Sequence, residues 1–108
     1  MTTEVFRKFA LSFPGTVENP HFDRMAYKVE KRRIFATLHE VSNSANIKLP
    51  VRDQGVFSTF GNGAIYPVPN KWGLQGWTTF ELHRIPDELL RDALETAYND
   101  VFTARPGK

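Results

Sequence analysis

Three short runs between Arg24 and Leu49 narrow the possible folds more than any other feature of this chain. Arg24–Val29, Arg33–Leu38 and Ala45–Leu49 are rich in β-branched and other apolar residues that alternate roughly at every second position, the period of a half-buried strand. Glu30-Lys31-Arg32 separates the first two runs as a hairpin, and the turn-forming Ser42-Asn43-Ser44 precedes the third. Parallel neighbours need a crossover of about a dozen residues or more, so links this short make an antiparallel meander.

Helical patterns surround the meander. Val5, Phe6, Phe9, Ala10 and Phe13 fit a helix from Thr3 to about Ser12, stopped by Pro14-Gly15. Thr16 to Asp23, with Asn19-Pro20 inside it, reads as a loop. Pro50 suits the first turn of a short helix reaching about Thr59, because its missing N–H has no helical partner there anyway, and Gly61-Asn62-Gly63 ends that helix. Ala64 to Gly73 reads as irregular with a brief strand at Ile65-Tyr66, and Trp77–Leu82 as a further strand. The last helix starts at Pro86-Asp87-Glu88, where acids meet the positive end of the helix dipole. Leu89, Leu90, Ala93, Leu94, Ala97, Tyr98, Val101 and Phe102 give it one apolar stripe. The order α-β-β-β-α-(β)-β-α predicts an α+β fold, an antiparallel β-sheet flanked by helices on one face.

Composition bounds the function. The 108 residues are one domain's worth, read as a single domain over 1–108, and 41% hydrophobic residues with nine Phe suffice for a core. The chain has no Cys, so disulfides, cysteine zinc sites, thiol nucleophiles and iron–sulfur clusters are out of reach. Its start lacks a signal-peptide pattern, and no stretch approaches the roughly 18 apolar residues of a membrane span. A cytoplasmic location, no membrane partner and a monomeric state are the expectations.

Catalytic patterns are equally lacking. His39-Glu40 is not followed by the second His of a zincin helix. His21 with Asp23 supplies too few ligands for a metal, and His83 follows a strand. Ser12, Ser42, Ser44 and Ser58 lack a nucleophile-elbow setting, and Gly61-Asn62-Gly63 is a turn rather than a phosphate loop. Glu88, Asp92 and Glu95 share a helical stripe, but Arg91 interrupts it, and a charged outer face is ordinary for an amphipathic helix. No metal or cofactor is expected, and the chain reads as a binding module rather than an enzyme. An apolar pocket joining His21 to Trp72 would reopen the enzymatic reading.

The charge is unevenly distributed although the net value is only +2. Arg24, Lys28, Lys31, Arg32, Arg33, Lys48 and Arg52 stand against Glu30 and Glu40 in the middle of the chain. Glu81, Asp87, Glu88, Asp92, Glu95 and Asp100 outweigh Arg84 and Arg91 near its end. Segments on different faces would make the molecule dipolar and offer an anionic partner one face only. Sorting the strands by parity places Arg24, Lys28, Arg33 and Lys48 on the polar side of the sheet, with Phe35 and Trp77 among them. Cations interleaved with exposed aromatics attract phosphates and stack bases. The same cations also suit an ordinary solvated face, with Phe35 in a second small core, and Lys31-Arg32-Arg33 suits a solvated hairpin tip.

The segment Tyr66-Pro67-Val68-Pro69-Asn70-Lys71-Trp72-Gly73-Leu74-Gln75-Gly76-Trp77-Thr78 gathers two Trp, a Lys and several turn formers. Gly73 and Gly76 allow a tight turn that brings Trp72 and Trp77 near one another, as a packed loop or as the rim of a binding site. Together with Phe13-Pro14-Gly15, Glu18 and Phe22, with Ala26-Tyr27-Lys28-Val29, Ile34-Phe35-Ala36 and Ile47-Lys48-Leu49-Pro50, the residues Pro67, Pro69, Trp72-Gly73 and Gly76-Trp77-Thr78 make the chain resemble the MmcQ/YjbR-like proteins. The resemblance implies a frataxin-like (CyaY-like) fold and DNA binding of a "double wing" type, in small bacterial proteins.

Two functions follow as expectations. The first is nucleic-acid binding, DNA by resemblance, through Arg24, Lys28, Arg33, Phe35, Lys48, Lys71, Trp72 and Trp77. The second is a protein-interaction or small-ligand module using residues 65–77, because exposed aromatics are common at interfaces.

Overall fold

The computed structural model describes residues 1–103. Six strands form one antiparallel sheet: β1 (Thr16–His21), β2 (Arg24–Val29), β3 (Ile34–His39), β4 (Ser44–Lys48), β5 (Ile65–Pro67) and β6 (Trp77–Glu81), in the spatial order β1-β2-β3-β4-β6-β5. Four helices accompany it: α1 (Thr3–Leu11), α2 (Val51–Phe60), α3 (Lys71–Leu74) and α4 (Asp87–Thr103). The α+β architecture, the meander and the long last helix stand as expected.

One face of the sheet is covered. Tyr27, Val29, Ala36, Leu38, Ala45, Ile47 and Phe80 point there and are buried against Phe6 and Ala10 of α1 and Leu90, Ala93, Leu94, Ala97 and Tyr98 of α4. Each fully buried Leu or Phe contributes about 1.5–3 kcal/mol. Ring contacts define the seams: Phe6 lies edge-on to Tyr27 at 6.1 Å, and Phe13 stacks on Tyr98 at 4.6 Å. α2 lies on the same side, where Phe57 meets Phe80 at 6.3 Å.

Two expectations fail, each for a physical reason. Residues 16–21 form β1 and not a loop. β1 is an edge strand, where a proline removes no ladder bond that a neighbour needs, so Asn19-Pro20 sits in it without cost. Phe35 is not on the polar face. Tyr27 pairs with Ala36 but Lys28 with Ile34, leaving Phe35 as the extra residue of a β-bulge. The bulge reverses the parity upstream of Ala36. It sends Phe35, fully buried, into the core against Tyr98 (5.8 Å) and leaves Ile34 on the open side opposite Lys28.

Candidate nucleic-acid interface

The uncovered face is assembled by register. Lys28 faces Ile34, Ala26 faces Thr37, Thr37 faces Asn46, Asn46 faces Thr79 and Lys48 faces Trp77. These side chains point away from the helices, with Arg24 opposite His21 at the start of β2. The result is a polar floor with cations towards its margins and Trp77 among them.

A cavity of about 470 Å³ lies on this floor. It is lined by Arg24, Ile34, Thr37, Asn46 and Trp77 from the sheet, by Val68 and Trp72 on one side, and by the hairpin tip His21-Phe22-Asp23 on the other. Its size falls within the roughly 300–1,000 Å³ of ligand pockets.

Backbone constraints build the Trp72 wall. Asn70 caps α3, its Oδ1 accepting from the Trp72 N–H at 2.8 Å. A Cβ on Gly73 would stand 2.0 Å from the Val68 carbonyl oxygen, so only glycine lets α3 lie this close to Val68. Gly76 has φ 108° and lies against the Leu49 carbonyl, where a Cβ would be 1.9 Å from the oxygen. The Gln54 side-chain amide of α2 donates to the Gly73 carbonyl at 2.9 Å and to Thr78 Oγ1 at 3.0 Å, fixing the segment from the helix side. Trp72 is thereby held with 49% of its surface exposed and Trp77 half-buried.

The opposite wall is unusual. Phe22 is 94% exposed and has φ 60°, a region that favours glycine and costs a bulky residue about 1–3 kcal/mol. Its ring lies edge-on to His21 at 4.9 Å. The tip is pinned by its neighbour: Asp23 Oδ2 lies 3.0 Å from His39 Nε2, and His39 Nδ1 lies 2.6 Å from Ser42 Oγ. This chain clasps the β1–β2 hairpin to the β3–β4 turn. Asp23 is therefore the partner of His39, not of His21.

The expected site residues divide accordingly. Arg24, Trp72 and Trp77 line the cavity. Lys28 and Lys48 lie on the same face, partly buried, and neither they nor Arg24 form an ion pair among the described residues. Lys71 is exposed, with its ammonium 5.9 Å from the Trp72 ring centroid. Arg33 is exposed just before β3, and Phe35 is in the core. Phe22, Ile34, Thr37 and Asn46 were not singled out by sequence. A phenylalanine in a two-residue turn carries no turn signal, and Ile34 was hidden by the bulge. Among the described residues no three His, Asp or Glu side chains gather as a metal-ligand set, and no helix is long and apolar enough to cross a membrane.

The cations of this face are matched by acids elsewhere. Glu88, Asp92, Glu95 and Asp100 are exposed on α4, which covers the other side of the sheet. The separation suggested by the charge distribution is partial: Glu81 shares the open face with Thr79 and Trp77, and Arg32 packs over Phe102 of α4.

No curated protein matches the chain. The crystal structure of the Deinococcus radiodurans protein DR2400, described as a DUF419 domain, superposes with a TM-score of 0.80 at 22% identity, covering 94% of this chain and 79% of that one. That likeness speaks for the fold. The sequence model of the YjbR family matches residues 11–100, which include all six strands and most of α4. The chain belongs to the YjbR family.

Proposed function

We propose that this protein is a nucleic-acid-binding module whose open sheet face receives the strand. The observation that carries the reading is the juxtaposition on one face of Arg24, Lys28 and Lys48, without ion pairs among the described residues, and a cavity walled by Trp72 and Trp77. Unpaired cations release counterions from phosphates when they bind. Indole faces stack bases, each worth about 1–3 kcal/mol. Family membership is compatible with this reading and does not carry it.

A binding role fits the cavity better than catalysis. The pocket does join His21 to Trp72. However, the His21 ring lies edge-on to Phe22 and has no hydrogen-bond partner among the described residues, and the Thr37 hydroxyl is met by the Arg24 guanidinium at 3.5 Å rather than by a base. Ser42, His39 and Asp23 form a hydrogen-bonded chain, but the Ser42 N–H also donates to His39 Nδ1 at 3.3 Å, and neither Ser42 nor His39 lines the cavity. That is the geometry of a turn clasp.

The test is fluorescence anisotropy of a labelled single-stranded oligonucleotide at roughly 50 to 200 mM salt. Two phosphate contacts, from Lys28 and Lys48, predict a slope of log affinity against log salt near −1.4, and a third from Arg24 one near −2, or about 7- to 20-fold weaker binding across the range. A second reading, a protein or small-ligand module using residues 65–77, draws on Leu74, which is 81% exposed beside Trp72. Binding that ignores salt would favour it.

A further inference from the structure

We infer that the open-face cavity takes one unstacked nucleobase of a single strand, held between Trp72 and Trp77 on one side and the Phe22 tip on the other. The inference rests on the nucleic-acid reading and deepens it. A base stacked inside a duplex offers its edge but not its faces, so a pocket with aromatic walls on both sides suits a base that has left the stack. The cavity has those walls over a mostly apolar lining, in which Arg24, Thr37 and Asn46 set polar groups on the sheet floor.

Phe22 is the independent observation. Its ring is almost wholly exposed, its backbone sits where glycine is preferred, and among the described residues its one aromatic contact is with His21. Folding gains nothing visible from this ring. Yet the hairpin that carries it is clasped through Asp23 to His39, which holds the ring at the cavity margin. A strained, exposed aromatic held beside a pocket is accounted for by what enters the pocket.

The floor gives the base an orientation. Asn46 Oδ1 accepts from Thr79 Oγ1 at 2.8 Å, which leaves its amide N–H groups to donate. The Arg24 fork adds further donors and has only a 3.5 Å contact with Thr37 Oγ1. A donor-rich floor suits a base with carbonyl acceptors on its edge, such as thymine. Lys28 and Lys48, on the same face, would take the flanking phosphates.

The experiment compares a labelled 12-nucleotide thymidylate strand, an abasic deoxyribose-phosphate strand of the same length, and thymidine monophosphate. Each is titrated with the wild-type protein and with the Phe22→Gly and Trp72→Ala variants. Glycine relaxes the left-handed position, so Phe22→Gly keeps or raises the melting temperature and its effect on binding is not one of misfolding. The thymidylate strand is expected to bind at least tenfold more tightly than the abasic strand and to quench tryptophan fluorescence, with each variant removing most of that margin. Equal binding of the two strands, unchanged in both variants, would leave the nucleic-acid reading standing and overturn the base pocket. Failure of both strands to bind at low salt would overturn the reading itself. Monophosphate binding as tight as the 12-nucleotide strand would overturn the single strand as the source of the base.

Discussion

Glu18 shows how single residues tie this fold together. Its carboxylate accepts from the Tyr27 hydroxyl at 2.8 Å and from Arg7 Nε at 2.9 Å, joining β1, β2 and α1. Burial, together with this bond, raises the Tyr27 phenol well above its ordinary value of 10.0. The folded protein thus holds the phenol proton more tightly than the unfolded chain does. The resulting stability is full below about pH 10 and is lost as the pH rises past it. Tyr27→Phe is expected to lower stability by about 1–2 kcal/mol. It should also flatten the alkaline fall, which urea unfolding at about pH 8 and pH 11 will measure. Tyr66, bonded to Glu81 at 2.8 Å and likewise raised, supplies a remaining slope of the same sign. Residue parity was legible in the sequence for β2, β4 and β6, where Met25, Tyr27 and Val29, then Ile47, and then Phe80 face the core as alternation requires. It failed at Phe35 because a bulge adds one residue without any mark in the sequence, and one residue exchanges the faces.

Elements show a similar division. α4 was legible because a long stripe at helical spacing has no competing reading. β1 was not, because Asn and Pro outweigh Val17 in any local judgement, and only the sheet order reveals that the strand is an edge. α3 was missed because four residues carry too little periodicity. The Trp72–Trp77 segment was foreseen to turn tightly, and the reason proved partly different. Gly76 supplies the positive φ, whereas Gly73 is needed for close approach to Val68. Gly76→Ala therefore combines left-handed strain with a clash against the Leu49 carbonyl. It is expected to cost about 3 kcal/mol or more, read as a lower urea midpoint, and to weaken strand binding by displacing Trp77. Stability unchanged in this variant would contradict the account of the β4–β6 junction. The hairpin tip is the opposite case, since Phe22→Gly relaxes its element while removing a proposed contact.

At the scale of the whole molecule, the sheet sorts charge as well as polarity. Arg24, Lys28 and Lys48 lie on one side, and the exposed acids of α4 on the other. The sequence disclosed the two charged segments, but which face each occupies depended on strand order and on α4 packing over the strands' apolar side. The cavity was the least legible feature, because its lining comes from six separate segments and closes only when β1 takes its place beside β2. The central claim is that binding belongs to this face and not to net charge. The measurement that tests it most directly compares Lys28→Glu/Lys48→Glu with Lys8→Glu/Arg91→Glu, in which the same charge is reversed on α1 and α4. Anisotropy of a labelled single-stranded oligonucleotide is followed from about 50 to 200 mM salt. The account predicts that the sheet-face pair loses at least tenfold in affinity and about 0.7 unit of salt slope per lysine, while the helix-face pair stays close to wild type. Equal losses in both pairs, or none in the sheet-face pair, would contradict it.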